Sequence, residues 1–208
     1  GNPEVAHVIW NIRFPRMVAA LLVGGALSVA GAAYQSLFRN PLVSPDVLGA
    51  SSGAGFGAAL AIVLGLGPTG LQGVAFLFGL LAVLGAWGVS RMTRRDQVLA
   101  LVLGGIIVSA LFSAGVSILK YLADPDRELP AITFWLMGGL NGVRHADLPA
   151  LFAPILTCAI VLWLLRWQLD AVTFGEETAK SLGTNVTWLR AGVIVCATIL
   201  TAVSVSIS

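Results

Sequence analysis

Five stretches of this chain carry no charged residue, and they limit its fold more than any other feature. Met17–Phe38 runs 22 residues, Val47–Ser90 runs 44, Gln97–Leu119 runs 23, Leu148–Leu165 runs 18 and Ala191–Ser208 runs 18. A helix rises about 1.5 Å per residue and a bilayer core is about 30 Å thick, so about 20 apolar residues span it. Val47–Ser90 is too long for one span. It divides at "GLGPTG", Gly65–Gly70, where Pro68 among glycines favours a turn-around. Six spans are therefore expected, at roughly 17–38, 47–66, 69–90, 97–119, 148–165 and 190–208.

Composition points the same way: 57% of the 208 residues are hydrophobic and 11% charged, against about 25% charged in soluble domains. In lipid only helices and closed barrels satisfy the backbone. These runs lack period-2 alternation, so the expected fold is an all-α polytopic membrane protein. "GNPEVAHVIW" shows no basic region followed by an apolar run, so no signal peptide is expected. Cys158 and Cys196 lie in separate spans without metal-ligand spacing and read as small apolar packing residues. His7 and His145 fall outside the spans and read as surface residues. No cofactor, metal or nucleic-acid partner is expected.

The loops alternate sides. One side collects Arg39, Arg91, Arg94, Arg95, Arg166, Lys180 and Arg190, seven basic residues; the other collects Arg13, Arg16, Lys120, Arg127 and Arg144, five. The short, dense "RMTRRD" loop, Arg91–Asp96, carries the strongest positive-inside signal. This puts "RNPLVSPDVLGASSG", "RMTRRD" and 166–190 in the cytoplasm, and the N-terminus, "GLGPTG" and 120–147 outside.

Small residues recur every fourth position in three series: Gly49, Gly53, Gly57, Ala61 and Gly65; Ala20, Gly24, Ser28 and Ala32; Gly105, Ser109, Ser113 and Ser117. Residues four apart share a helix face, and small faces let helices approach closely in lipid. The first two series read as packing faces. The serine series either lines an aqueous path or bonds back to the preceding turn. The spans lack the ionisable groups of a proton relay, and the chain has no G-x-x-x-x-G-K-[ST] loop. Uphill transport by such a protein draws its energy from another chain.

Three loops carry unusual chemistry. In the elbow, Pro41 and Pro45 fix φ and stiffen the segment, which reads either as a plug or hinge at the inner mouth or as a plain connector. In "LDAVTFGEETAKSLGTNVTWLR", Leu169–Arg190, Gly175 precedes a short helical stretch with acids first and Lys180 late, and Gly183 suits its C-cap. That is a docking knob for a cytoplasmic partner. Outside, Arg13 and Arg16 in "NIRFPRMV" either anchor at headgroups or face an acidic partner. "AITFWLMGGL" is too short to span and is expected to lie in the interface or cap the bundle.

"RFPRMVAALLVGGALSVAGAAYQSLFRNPLVSPDVLGASSGAGFG", "ITFWLMGGLNGV" and "GEETAKSLGTNV" resemble the permease subunits of bacterial type II ABC importers, the FecCD-type family that takes up iron–siderophores, haem and cobalamin. The resemblance covers essentially the whole chain and implies helices two to seven of a ten-helix permease, without the first helix or the later "FVGL…PH" motif. It implies a cytoplasmic gate at Asn40 and Leu42 and a translocation path along the fifth family helix with Gly105, Ser109, Ser113 and Ser117. It further implies ATPase coupling through Gly175, Glu176, Ala179, Leu182 and Gly183, and binding-protein docking at Arg13 and Arg16. The implied partners are two cytoplasmic ABC ATPase subunits, a periplasmic or lipid-anchored substrate-binding protein, a second copy of the permease and membrane lipid. The implied location is the bacterial inner membrane.

The leading reading is a homodimeric permease for an iron chelate, either a ferric siderophore or haem, without catalytic residues of its own. Cobalamin or an oxyanion such as molybdate is the alternative cargo. A non-transporting membrane assembly or sensor subunit explains the packing faces but not the docking knob. An intramembrane enzyme lacks His, Asp or Glu within the spans.

Overall fold

The computed structural model describes residues 7–91 and 97–207. Most of the "RMTRRD" cluster, 92–96, lies outside the described residues. Among the described residues the chain is all-α, with five helical segments long and apolar enough to cross a membrane: Ile9–Phe38, Pro68–Arg91, Val98–Leu122, His145–Leu164 and Val186–Ile207. The helices sort into two compact units, one formed by 1–41 with 139–207 and one by 42–138.

The second unit holds α2 (Ala50–Val63), α3 (Pro68–Arg91), α4 (Gln97–Leu122) and α5 (Glu128–Met137). The apolar run begins at Val47, yet α2 has 14 residues and is shorter than the expected 47–66. Its ends are set by backbone geometry rather than polarity. Gly49 holds φ at +83° on the entry side, and Gly65 holds φ at +67° on the exit side. At the exit, the Gly65 and Leu66 amides donate to the Ile62 and Ala61 carbonyls, both at 2.9 Å. That pair of bonds closes a helix around a left-handed glycine, and Pro68 then opens α3.

The first glycine series is a packing face in α2. A Cβ on Gly53 would overlap the Phe78 carbonyl, and one on Gly57 would lie 2.6 Å from the Val74 carbonyl oxygen, so α2 and α3 meet backbone to backbone. Phe56, Phe78 and Phe112 then fill the space between α2, α3 and α4, with ring centroids 5.1, 5.5 and 6.2 Å apart. The helix α5, ten residues long, spans only about 15 Å. Asp124 starts it by accepting the Asp126 and Arg127 amides, each at 2.9 Å, and Ile132 anchors it on Ala59 and Ala123.

The first unit holds a π-turn (Ile9–Arg13), α1 (Phe14–Phe38), α6 (Leu148–Leu164), α7 (Arg166–Thr173), α8 (Glu176–Ser181) and α9 (Val186–Ile207). Helix α1 packs on α9 and α6. The Ala20–Gly24–Ser28–Ala32 face of α1 is exposed, with nothing within 4 Å of a Cβ built on Gly24. Helix α9 buries a row of hydroxyls: Thr198, Thr201 and Ser204 donate to the Ile194, Ala197 and Leu200 carbonyls one turn earlier, at 2.6, 2.9 and 2.7 Å. This back-bonding lets polar side chains sit in an apolar interior.

Candidate functional site

The elbow begins where α1 ends. Arg39 takes a left-handed conformation (φ +49°), the one non-glycine among the described residues to do so. Its amide donates to the Ser36 carbonyl and the Asn40 amide to the Gln35 carbonyl, at 3.2 and 3.1 Å. Glycine normally takes this position, so an arginine here carries a conformational cost that the surrounding fold must offset. The Asn40 backbone is thus locked to the last turn of α1.

In the second unit, Leu42 is 90% exposed while Val43 and Leu48 are buried. Asp46 closes this half of the elbow. Its Oδ1 accepts the Ser51 amide at 2.6 Å and its carbonyl accepts the Gly49 amide at 2.9 Å. Burial pushes the Asp46 carboxyl above the ordinary carboxylate range, and the Ser51 hydrogen bond holds it partly back. The two prolines stiffen the segment, and Asp46 pins its far end to α2. Between them the Leu42 side chain stands out as an apolar tip.

The serine series on α4 splits into two halves with different surroundings. Gly105 lies against the elbow's end: a Cβ there would overlap the Val47 carbonyl oxygen and lie 2.9 Å from the Leu48 Cα. Ser109 is half-buried against Gly49. Ser113 and Ser117 are exposed, and Ser117 Oγ donates to the Ser113 carbonyl at 3.1 Å. So the lower half of the series is a seat for the 47–49 segment, and the upper half presents hydroxyls at the surface of α4.

The coupling candidates form one compact element. Gly175 has φ +118° and Gly183 φ +80°, and between them α8 makes under two turns. Ala179 is wholly buried, while Leu182 is 69% exposed. The Gly183 amide donates to the Lys180 carbonyl and the Thr184 amide to the Ala179 carbonyl, at 3.0 and 2.9 Å, which is the two-bond glycine termination. Glu176, the first residue of α8, pairs with the Arg190 guanidinium. A helix of six residues has little stability of its own. This one stands because both ends and one face are fixed, leaving Leu182 projecting.

Arg13 and Arg16 differ. Arg13 ends the π-turn and is exposed. Arg16 is half-buried, and its Nη2 donates to the Asn141 carbonyl at 2.7 Å. Beside them, His145 Nε2 lies 2.6 Å from the Trp10 carbonyl oxygen, and the His145 ring stacks on Phe14 with centroids 5.8 Å apart. His145 is exposed as a surface histidine is, but it also braces the 141–147 segment against the start of α1. Arg16 is a brace of the same segment, and Arg13 is the cation presented to solvent.

Sequence reasoning passed over several of these groups. Arg190 sits within the first turns of α9, where the helix dipole disfavours a cation; that misplacement is the signal that a carboxylate partner exists. Asn185 opens α9 before it, accepting the Trp188 amide on Oδ1 at 3.2 Å. Tyr34, 1% exposed, brings its hydroxyl 3.3 Å from Thr198 Oγ1 and 3.5 Å from the Ile194 carbonyl oxygen. A single Tyr in an apolar span signals a buried partner but not which one. Cys158 on α6 and Cys196 on α9, read as small apolar packing residues, are both buried and free of any disulfide.

None of these groups is arranged as an acid–base pair or a nucleophile with its base. Two apolar side chains stand out instead: Leu42 on the elbow and Leu182 at the end of α8. The model of the FecCD transport family matches residues 1–208. The molybdate import system permease protein MolB of Haemophilus influenzae is 39% identical over 207 residues, covering 100% of this chain and 61% of that protein. A protein of Helicobacter pylori named as a probable iron chelatin transport system permease is 37% identical over 205 residues, covering 99% and 62%. A solved inward-facing structure of an ABC transporter assigned to the metal-chelate type superposes with a TM-score of 0.93 at 39% identity, covering 100% of this chain and 66% of that one. The chain spans about three fifths of the length of the curated relatives it matches. The sequence motifs, the helical architecture and the family match agree over the whole chain, which is part of a multi-pass inner-membrane protein and belongs to the FecCD transport family.

Proposed function

We propose that this chain forms the core of the permease of an ABC importer, which carries its cargo inward on energy released by a separate ATPase. The observation that carries the reading is α8. A short helix fixed at both ends, anchored by an ion pair and exposing Leu182, is what a membrane protein driven by a detachable motor requires. Gly175, Glu176, Ala179 and Gly183 shape and hold that helix; Leu182 is its contact. ATP is hydrolysed on the partner, and this chain contributes no catalytic residue.

In this reading the permease pairs with a second copy, two ATPase subunits and an outer binding protein. Asn40 and Leu42 act as the inner gate, and Leu42 tips from two copies exclude water between them. Ser113 and Ser117 offer a neutral hydroxyl surface to the passing cargo, while Gly105 and Ser109 seat the elbow. Arg13 steers the binding protein by charge, and Arg16 holds the outer loop that shapes the docking face.

The cargo proposed is a bulky iron chelate, a ferric siderophore or haem. A neutral path suits a ligand whose affinity resides in the binding protein. A second reading, molybdate, is favoured by the 39% identity to a molybdate permease over the whole chain. Reconstitution of the complete permease with its ATPase and binding protein in liposomes separates these. ATP-dependent uptake of a labelled ferric siderophore or haemin supports the first, and uptake of labelled molybdate the second. ATPase subunits that fail to co-purify with the permease would overturn the importer reading itself. Within the gate, Leu42→Gly is expected to leak cargo without ATP; a tight Leu42→Gly variant contradicts that role.

A further inference from the structure

The knob and the gate are both cytoplasmic in the importer reading, and a line of named contacts joins the knob to Asn40, the gate candidate that lies in the same compact unit. Glu176 opens α8 and pairs with Arg190. The Arg190 side chain is 14% exposed against 39% for Glu176, so the arginine is sunk into α9 and the carboxylate reaches to it. One turn further along α9, the Ile194 carbonyl oxygen lies 3.5 Å from the Tyr34 hydroxyl, and the next turn brings Thr198 Oγ1 to 3.3 Å of it. Tyr34 adjoins Gln35, whose carbonyl accepts the Asn40 amide at 3.1 Å and so closes the left-handed turn at Arg39. The tertiary links, Glu176 to Arg190 and Tyr34 to α9, are polar and directional, and the helices themselves carry the rest of the line.

From this geometry we infer that Arg190 and Tyr34 are positioning residues that carry displacement of α8 to the elbow. The inference rests on the importer reading above. Apolar packing between helices permits sliding at small cost, because dispersion contacts have no strong direction. An ion pair and a hydroxyl contact resist sliding and make α8, α9 and the end of α1 respond together. A push on Leu182 then rotates α9 at its first turns, and Tyr34 passes the motion to the Gln35–Asn40 closure. The Arg39 conformation is costly for a non-glycine residue, so the closure can be tipped by a modest change at its base. Coupling along such lines is changed by single substitutions by roughly twofold to thirtyfold.

The test uses the complete permease in complex with its ATPase, in liposomes, with Asn40→Cys as a reporter. A water-soluble maleimide measures the labelling rate at that position with and without ATP–vanadate trapping. In the reporter protein, trapping is expected to change the rate. Arg190→Gln is expected to shrink that change by about tenfold and Tyr34→Phe by about threefold, within the range for coupling residues, while the ATPase still co-purifies. The charge swap E176R/R190E is expected to restore most of the response, which a merely structural arginine would not do. Arg190→Gln and Tyr34→Phe variants that both keep the change within about twofold of the reporter protein overturn the relay. Loss of ATPase binding in Arg190→Gln also overturns it, by making the pair a support for docking alone. A reporter protein with no bound ATPase removes the importer reading beneath it, and that result is distinct from either of the others.

Discussion

The α2–α3 contact and the α8–α9 contact hold this protein in opposite ways. In the first, Gly53 and Gly57 remove side chains so that two backbones touch. In the second, Glu176 and Arg190 reach across with long charged side chains to fix a helix of only six residues. The first contact is extended and apolar, and no single group dominates it. The second depends on one ion pair and two glycine turns. In the importer reading, a scaffold and a moving part need these different solutions. A scaffold gains from close approach along its length, whereas a short lever needs a few directional ties that can be loaded.

The largest expected effect breaks the scaffold side. Gly53→Leu places a side chain into the Phe78 carbonyl and the Ala82 Cβ, a cost of about 3 kcal/mol, and cooperative thermal unfolding in detergent should be lost. Gly24→Leu meets open space and should change stability by less than about 0.5 kcal/mol. Equal losses from both would mean that close approach is not what separates the two regions.

On the lever side, Gly183→Ala forces a side chain into φ +80°, costing about 1–2 kcal/mol. Hydrogen exchange should then speed up in α8 while α2 and α3 keep their protection. Arg190→Leu should have a similar but smaller effect, about 1 kcal/mol, since Glu176 is partly exposed and solvent screens the pair. Faster exchange in α2 after either change would contradict the separation of roles.

These two contacts also mark what was legible in the sequence. The period-four glycines of α2 predict a packed face because helix geometry converts sequence spacing into spatial proximity, and the glycine turns at Gly65 and Gly183 are readable for the same local reason. The α8 element was visible from its acids, its lysine and its closing glycine. Arg190 as partner of Glu176, and Thr198 as partner of Tyr34, were not. Their separations of 14 and 164 residues follow from tertiary packing, which no periodicity encodes. The second span was expected from Val47, but apolarity could not show that Gly49 and Asp46 delay the helix to Ala50. The serine series was legible as a face, yet its spacing could not tell that Gly105 and Ser109 seat the elbow while Ser113 and Ser117 stay exposed.

The smallest expected effect sharpens the elbow's place between scaffold and lever. Asp46→Asn keeps an oxygen for the Ser51 amide and should cost less than about 0.5 kcal/mol, whereas Asp46→Ala loses the cap and should cost about 1 kcal/mol. Burial raises the native pKa of Asp46 above its unfolded value, so the native state binds this proton more tightly. Its contribution to stability is present below the unfolded pKa and is lost as pH rises through the native one. Thermal unfolding across that range should show the decline, and Asp46→Asn should flatten it. A rise in stability with pH that disappears in Asp46→Asn would reverse the sign and refute this account of the site.

In the importer reading, α8 is where a separate ATPase engages this chain. Replacing Leu182 by a photo-crosslinking amino acid in the complete permease, in membranes that hold its ATPase, tests it directly. Leu66, in the turn between α2 and α3 and expected on the opposite side of the membrane, serves as the control position. The account predicts an ATPase-containing adduct from Leu182 and none from Leu66. No adduct from Leu182, or equal adducts from both, would contradict it.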